Sequence, residues 1–143
     1  MNNENDFNGY ITKEVRKLGT DYKAIKLSDK FKIGLPDWIM FYRGQAVAVE
    51  SKFVQRLPKR GKVLKHPVIG PQISYMSSLS LAGVSCKVVI GTAFSGMIYV
   101  LDFTELPEGG NFYPGDLGKM TAHCKINQIR DLMDLLFMGV IVR

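Results

Sequence analysis

The run AVAVESKF at residues 46–53 constrains the fold more than any other part of the sequence. Residues 46–49 are apolar at every position, and successive side chains of a strand point to opposite faces of its sheet. A strand of this kind is covered on both faces, as in a sheet packed between helices. Glu50, Ser51 and Lys52 follow directly. We therefore predict an α/β protein in which this strand ends in polar side chains, a common position for ligands.

Apolar periodicity and turn residues predict the elements around this strand. Residues 37–41 form a second strand, joined to it by the turn Tyr42-Arg43-Gly44-Gln45. The remaining elements are a helix over 4–18, a short strand over 24–27, a helix from Gly70-Pro71 to Gly83, strands over 87–92 and 97–103, a loop-rich segment over 104–122 and a last helix over 127–137.

The chain has 143 residues, a length that predicts one domain with a core over about 4–103 and an extension over 104–143. No apolar run is long enough to cross a membrane, and the polar start MNNENDFNGY is unlike a secretory signal, so we expect a cytoplasmic protein. Cys86 and Cys124 are too few for a disulfide scaffold. His66, His123 and Cys124 lack the spacing of a zinc site.

The net charge of +6 is concentrated in one place. The basic segment, residues 51–66, has no acidic side chain and contains Pro58 and Gly61 together with Lys52, Arg56, Lys59, Arg60, Lys62 and Lys65. We expect a mobile loop here that does not pack into a core. It is either a solvated surface loop or a contact to the phosphate backbone of a nucleic acid, strengthened by release of counterions.

The chemistry of the chain centres on Asp37 and the Glu50-Ser51-Lys52 triplet. The predicted hairpin brings Asp37 and Glu50 to the same end of the sheet, and Glu50 and Lys52 point to one face. Two carboxylates with room for water suit a hard divalent cation such as Mg²⁺, and the Ser51 carbonyl can add a third oxygen. The cation would activate water and stabilise phosphate charge, while Lys52 orients or deprotonates that water or offsets the charge.

A purely structural interpretation is open for the same residues. Glu50 and Lys52 can be an exposed edge pair, and Asp37 a turn-forming acid. Trp38 points away from Asp37, and core packing is the favoured explanation for it over base stacking. Glu4 and Glu14 both fall within the apolar arc of the first helix, where a carboxylate needs a partner or a position at the rim.

In its element order and its GLPDW and AVAVESK motifs, residues 4–103 resemble the PD-(D/E)XK nuclease superfamily. Within it, the resemblance is to the VRR-NUC type and to small phage and archaeal Holliday-junction resolvases. It implies a restriction-endonuclease-like αβββαβ core, a mixed central sheet flanked by helices. It also implies that Asp37 and Glu50 bind metal and that Lys52 is catalytic. Gln72 matches a glutamine at the start of the next helix, and either Glu4, which fits the spacing better, or Glu14 matches a first-helix glutamate.

The resemblance implies a Mg²⁺-dependent endonuclease, with Mn²⁺ as a substitute, acting on branched DNA such as Holliday junctions in recombination or repair. The alternatives are a non-catalytic DNA-binding subunit of a phage or repair complex, and a flap or restriction-type nuclease. A four-way junction is cut on two strands, which favours a homodimer. Two apolar faces are candidates for its interface: Tyr75, Met76 and Leu79, or Leu132, Leu135, Leu136 and Met138.

Overall fold

A computed structural model describes residues 1–27, 34–64 and 67–142. None of the helices in these ranges combines the length and apolar character needed to span a bilayer. The helices are α1 (Glu4–Lys17), α2 (Gly70–Leu81), α3 (Pro114–Leu117) and α4 (Ile129–Met138). The strands are β1 (Tyr22–Lys26), β2 (Trp38–Tyr42), β3 (Gln45–Val54), β4 (Ser85–Thr92), β5 (Met97–Asp102) and β6 (His123–Lys125).

The strands form one mixed sheet in the order β1-β2-β3-β4-β5-β6. Among the described strands, β3 and β4 form the one parallel pair, and α2 makes the crossover between them. The hairpin of β2 and β3 turns at Arg43 and Gly44, whose φ angles are 46° and 79°. Positive φ at both central residues is the backbone of a type I′ turn, which fits the twist of a hairpin. The order α1-β1-β2-β3-α2-β4 matches the predicted αβββαβ core, which is confirmed.

Both faces of the sheet are covered, as the apolar run in β3 predicted. On one face, α1 and α4 pack against the sheet around Phe7, Trp38, Val49 and Leu132. On the other face, α2 and residues 112–117 pack around Ala48, Met76, Val88, Ile90 and Phe112. Trp38 is fully buried, in line with core packing, and its indole N–H donates to Thr12 Oγ1 at 3.3 Å.

The chain after residue 103 contributes more to the fold than its loop-rich sequence indicated. β6 pairs with β5 through residues 123–125, a three-residue strand that was not predicted because it is too short to show alternation. α4 lies one to two residues later than expected and forms part of the first core. Two single 3₁₀ turns, over 103–105 and 108–110, and α3 occupy the segment between β5 and β6.

The prediction that these two apolar faces form a dimer interface is wrong for most of their residues. Leu132, Leu135 and Leu136 are buried within the chain, because α4 turns this stripe toward α1 and the sheet. Met76 is also buried, and Leu79 packs against the second core. Met138, at the end of α4, is exposed. The apolar side chains of the buried residues cover the two faces of the sheet within this chain.

The expectation for the basic segment is wrong at both of its ends. Residues 51–54 belong to β3, and Lys52 is buried there rather than placed on a loop. Val63 and Leu64 pack into the second core. Between these ends, Arg56, Lys59, Arg60 and Lys62 are exposed.

The burial of α4 makes a testable prediction. Leu132→Ala removes a fully buried side chain and should lower the free energy of unfolding by about 2–5 kcal/mol. Met138→Ala, on the same helix but 51% exposed, should change it by less than about 0.5 kcal/mol. Chemical denaturation measures both changes. Equal, small effects of the two substitutions would show that α4 does not close the core.

Candidate active site

Five elements meet at one end of the sheet and bring together the predicted site residues. Asp37 immediately precedes β2, and Glu50 and Lys52 lie near the end of β3. The register pairs Trp38 with Val49, so Asp37 and Glu50 come next to each other one position further along the hairpin. The first turns of α1 and α2 supply Glu4 and Gln72, and β1 ends there with Lys26.

Residue Ser51 holds the Asp37 carboxylate. Its main-chain N–H donates to Asp37 Oδ2 at 2.8 Å, and its hydroxyl lies 2.9 Å from the same oxygen. The hydroxyl also lies 2.5 Å from Oδ1 of Asn8 on α1. One hydroxyl proton serves one acceptor at a time, whereas the main-chain donor is fixed. Ser51 therefore engages Oδ2 of Asp37, whereas Oδ1 contacts Lys26 at 3.3 Å.

Glu50 has partners on the α2 side of the sheet. The Gln72 side-chain amide donates to Glu50 Oε2, and the ammonium of Lys52 lies 3.7 Å from the same oxygen. Glu50 is 2% exposed and Lys52 is 5% exposed. The edge-pair interpretation is therefore wrong, because both side chains are buried on a central strand.

The two carboxyl groups differ in the protonation state that their surroundings favour. Burial raises the pKa of Glu50 to about 9, and the charge of Asp37 and a hydrogen bond with it act in the same direction. Burial also opposes ionisation of Asp37. Hydrogen bonds from Glu50 and Ser51 and the charge of Lys26 outweigh it and lower the pKa of Asp37. In the metal-free protein, these opposite shifts of pKa favour an ionised Asp37 and a protonated Glu50.

Two residues of this site were not predicted from the sequence. Lys26 contacts Asp37 Oδ1 at 3.3 Å and lies over the Trp38 ring, 4.7 Å from its centroid. Asn8 is buried on α1 beside Ser51. A signal for Asn8 was present, since a polar residue four positions after Glu4 falls on the same helix face, next to the apolar Phe7. No signal for Lys26 was present in the sequence, because its partner Asp37 lies at the start of β2, which comes next to β1 only when the chain folds.

The structure distinguishes the two first-helix glutamates. Glu4 lies close enough to Glu50 to raise its pKa. Glu14 is ten residues further along α1 and pairs with Lys17 at 3.2 Å. Glu4 also lines a groove of about 540 Å³ that contains Arg56 and the buried ends of the basic segment. Glu4 therefore lies near Glu50 and also on the wall of a groove that Arg56 shares.

The remaining predicted DNA-binding residues lie beside the carboxylate cluster rather than within it. Arg56 lines the groove. Lys59, Arg60 and Lys62 continue from it on the exposed part of the basic segment. Lys65 lies outside the described residues. The exposed positions of the basic segment thus present positive charge to the surroundings, next to the groove that Glu4 and Arg56 line.

The donor set fits a hard divalent cation. Within the three described ranges, no group of three His, Cys, Asp or Glu side chains could hold a metal ion, so Asp37 and Glu50 would act as a pair. Mg²⁺ keeps several waters and is commonly held by one or two carboxylates. In a strand, the N–H and C=O of one residue point to the same side, so the Ser51 carbonyl is directed toward the Asp37 side of β3.

Comparison with known proteins supports the fold. The sequence matches no model of a known protein family, and no curated protein is significantly similar to it. A mixed sheet with this flanking of helices is a restriction-endonuclease-like α/β fold. The structure is similar to that of Archaeoglobus fulgidus Hjc, a Holliday junction resolvase from an archaeal hyperthermophile. The TM-score is 0.53 at 15% identity, covering 76% of this chain and 83% of that chain.

The raised pKa of Glu50 makes a prediction about stability in metal-free protein. The folded state binds the Glu50 proton up to about pH 9, whereas the unfolded carboxyl loses it near pH 4.5. The stability of the wild type should therefore fall as pH rises through this window, by up to about 1.4 kcal/mol per pH unit from this group. Glu50→Gln removes the effect, so its gain in melting temperature over wild type should widen from pH 5 to pH 8.

Thermal unfolding in EDTA measures this difference. Glu14→Gln is the matched control, since Glu14 is a half-buried glutamate of α1 that pairs with Lys17 away from Glu50. It should shift the melting temperature little at either pH. A constant difference between Glu50→Gln and wild type across the range would contradict the protonation state assigned to Glu50.

Proposed function

We propose that this protein is a Mg²⁺-dependent endonuclease that hydrolyses phosphodiester bonds of branched DNA. The observation that carries the proposal is the placement of the half-buried Asp37 carboxylate beside the buried Glu50 and Lys52 at the end of β3, with Gln72 bound to Glu50. Burying the Glu50 carboxyl next to the half-buried carboxylate of Asp37 is costly without a compensating ligand. A fold that bears this cost next to an open groove is typical of a site built for a cation and its substrate.

Asp37, Glu50 and the Ser51 carbonyl would hold the ion, which supplies Lewis acidity toward the phosphate and lowers the pKa of bound water. Lys52 lies 3.7 Å from Glu50 and, as an ammonium, can orient the attacking water; it deprotonates that water only after losing its own proton. The water oxygen attacks phosphorus, the bond to one sugar oxygen breaks, and that oxygen takes up a proton. The products are one phosphate end and one hydroxyl end. Gln72 and Ser51 act on Glu50 and Asp37 by fixing their orientation.

The basic segment is the proposed contact to the DNA backbone. Arg56 lies in the groove beside Glu4, and Lys59, Arg60 and Lys62 extend the positive surface from there. Lysine and arginine bind phosphate oxygens irrespective of base sequence, so this surface supplies affinity without sequence specificity. Lys65 belongs to the same proposal through its place in the sequence.

Branched DNA is the proposed substrate because the fold is shared with a Holliday junction resolvase. Each chain contributes one Asp37–Glu50 site, and a four-way junction must be cut on two strands. A two-fold dimer places two equivalent sites in the same relation as these strands. We therefore propose a homodimer, whose interface lies outside the buried stripe of α4.

A cleavage assay on a substrate panel tests the proposal. The panel contains a four-way junction, a flap, a splayed arm, a duplex and a single strand, each with Mg²⁺, Mn²⁺, Ca²⁺ or EDTA. We expect paired symmetric cuts in the junction with Mg²⁺ or Mn²⁺, none with EDTA, and binding with little cleavage in Ca²⁺. Asp37→Ala should reduce cleavage by more than about 100-fold while leaving DNA binding within several-fold. Light scattering measures the oligomeric state.

Asp21→Ala is the matched control, because Asp21 is exposed and its nearest cation, on Arg43, lies 3.9 Å away. It should cleave like the wild type. Undiminished cleavage by Asp37→Ala would refute the site. DNA binding without cleavage of any substrate would support the non-catalytic subunit, and a monomer that cuts flaps but ignores junctions would refute the dimeric resolvase.

A further inference from the structure

Residues 110–112, in the part of the chain that follows the nuclease-like core, are hydrogen-bonded to the end of the basic segment. The main-chain N–H of Val63 donates to the Phe112 carbonyl at 2.7 Å. The N–H of Val68 donates to the Gly110 carbonyl at 3.0 Å. These two bonds flank a third contact made by the side chain of Asn111. We call residues 110–112 the clip.

Asn111 is 4% exposed, and both ends of its amide are used. Its Oδ1 accepts from the Leu64 N–H at 3.1 Å and from the Phe112 N–H at 2.8 Å. Its Nδ2 donates to the Leu64 carbonyl at 3.2 Å. The side chain thus pairs with both main-chain groups of Leu64, as a neighbouring strand would. A buried amide satisfied in this way fixes the backbone that it contacts.

The backbone at Gly110 shows how closely the two segments approach. Its φ is +69°, and a Cβ atom there would lie 1.9 Å from the Val68 carbonyl oxygen. Only glycine fits this position without displacing Val68. Gly109 also has a positive φ, of +78°, but a Cβ atom there would meet no atom within 4 Å. The close approach is therefore specific to Gly110.

We propose that the clip is a positioning device for DNA binding: it holds one end of the basic segment so that Arg56, Lys59, Arg60 and Lys62 are presented in a fixed arrangement beside the active site. The other end of the segment is anchored by β3. Val63 and Leu64, which the clip holds, form a wall of the groove that also contains Glu4 and Arg56. This inference rests on the proposed DNA contact and assigns a role to residues that the nuclease-like core does not include.

The clip should strengthen DNA binding because ordering a long loop at the moment of binding costs conformational entropy. Lysine and arginine side chains on an unconstrained loop lose backbone and side-chain freedom when they engage phosphates. A segment held at both ends has lost much of this freedom in the free protein, so more of the phosphate attraction remains as affinity. Asn111 does not need to touch DNA for this effect.

A double-mutant cycle tests the proposal with labelled four-way junction DNA in EDTA, by fluorescence anisotropy. Asn111→Ala should raise the dissociation constant about tenfold in the wild-type background. In a background that carries Arg56→Ala, Lys59→Ala, Arg60→Ala and Lys62→Ala, it should change the constant by less than about twofold, because the groups it positions are absent. That background should also have a flatter salt dependence, by roughly 0.9 in log–log slope for each phosphate that is no longer neutralised. Asn127→Ala, an exposed asparagine before α4, is the matched control.

A second readout needs no DNA. Hydrogen exchange of the Val63 and Leu64 amides should be at least about tenfold faster in Asn111→Ala, since both amides donate into the clip. Gly110→Ala should act in the same way and Gly109→Ala much less, which covers the case that Asn111→Ala unfolds. An unchanged dissociation constant, or an equal loss in both backgrounds, would overturn the positioning role. Unchanged exchange would overturn the clip, whereas absence of DNA binding by the wild type would refute the DNA contact itself.

Discussion

The hydrogen bond from the Ser51 main chain to the Asp37 carboxylate is the contact on which the site depends. It joins the start of β2 to the end of β3, beyond the last regular pair of the hairpin. With the hydrogen bond from Glu50 and the charge of Lys26, this bond lowers the pKa of the half-buried Asp37, whereas burial and the neighbouring Asp37 raise the pKa of Glu50. The parallel pairing of β3 with β4 and the layers on both faces then bury Glu50 and Lys52 next to Asp37.

The core of the fold could be predicted because local signals and burial agreed there. The apolar run before Glu50 required cover on both faces, and Gly44 marked the hairpin, so the register that brings Asp37 to Glu50 followed. β6 could not be predicted, because three residues show no periodicity. The prediction that α4 forms a dimer interface was wrong for another reason. An apolar stripe has the same sequence pattern whether it packs on the sheet of its own chain or on a second copy.

The site was predictable where its residues share one motif and not where they meet only in the fold. Asp37, Glu50 and Lys52 follow from the hairpin, whereas Lys26 and Asn8 reach Asp37 and Ser51 from separate elements. The basic segment illustrates the limits of composition. Its charges indicated an exposed loop, but Lys52 lies on a buried strand and Val63 and Leu64 lie in the core. The contacts of Asn111 with Leu64 join residues 47 positions apart and left no mark in the sequence.

The central claim is that Asp37 and Glu50 form a divalent-cation site, and calorimetric titration of Mn²⁺ into the purified protein tests it most directly. We predict that the wild type binds Mn²⁺, that Asp37→Asn weakens binding by at least about tenfold, and that Asp21→Asn leaves it unchanged. Because the titration contains no DNA, its result does not depend on the choice of substrate. Wild-type protein that binds no Mn²⁺, or Asp37→Asn protein that binds it equally well, would contradict this claim.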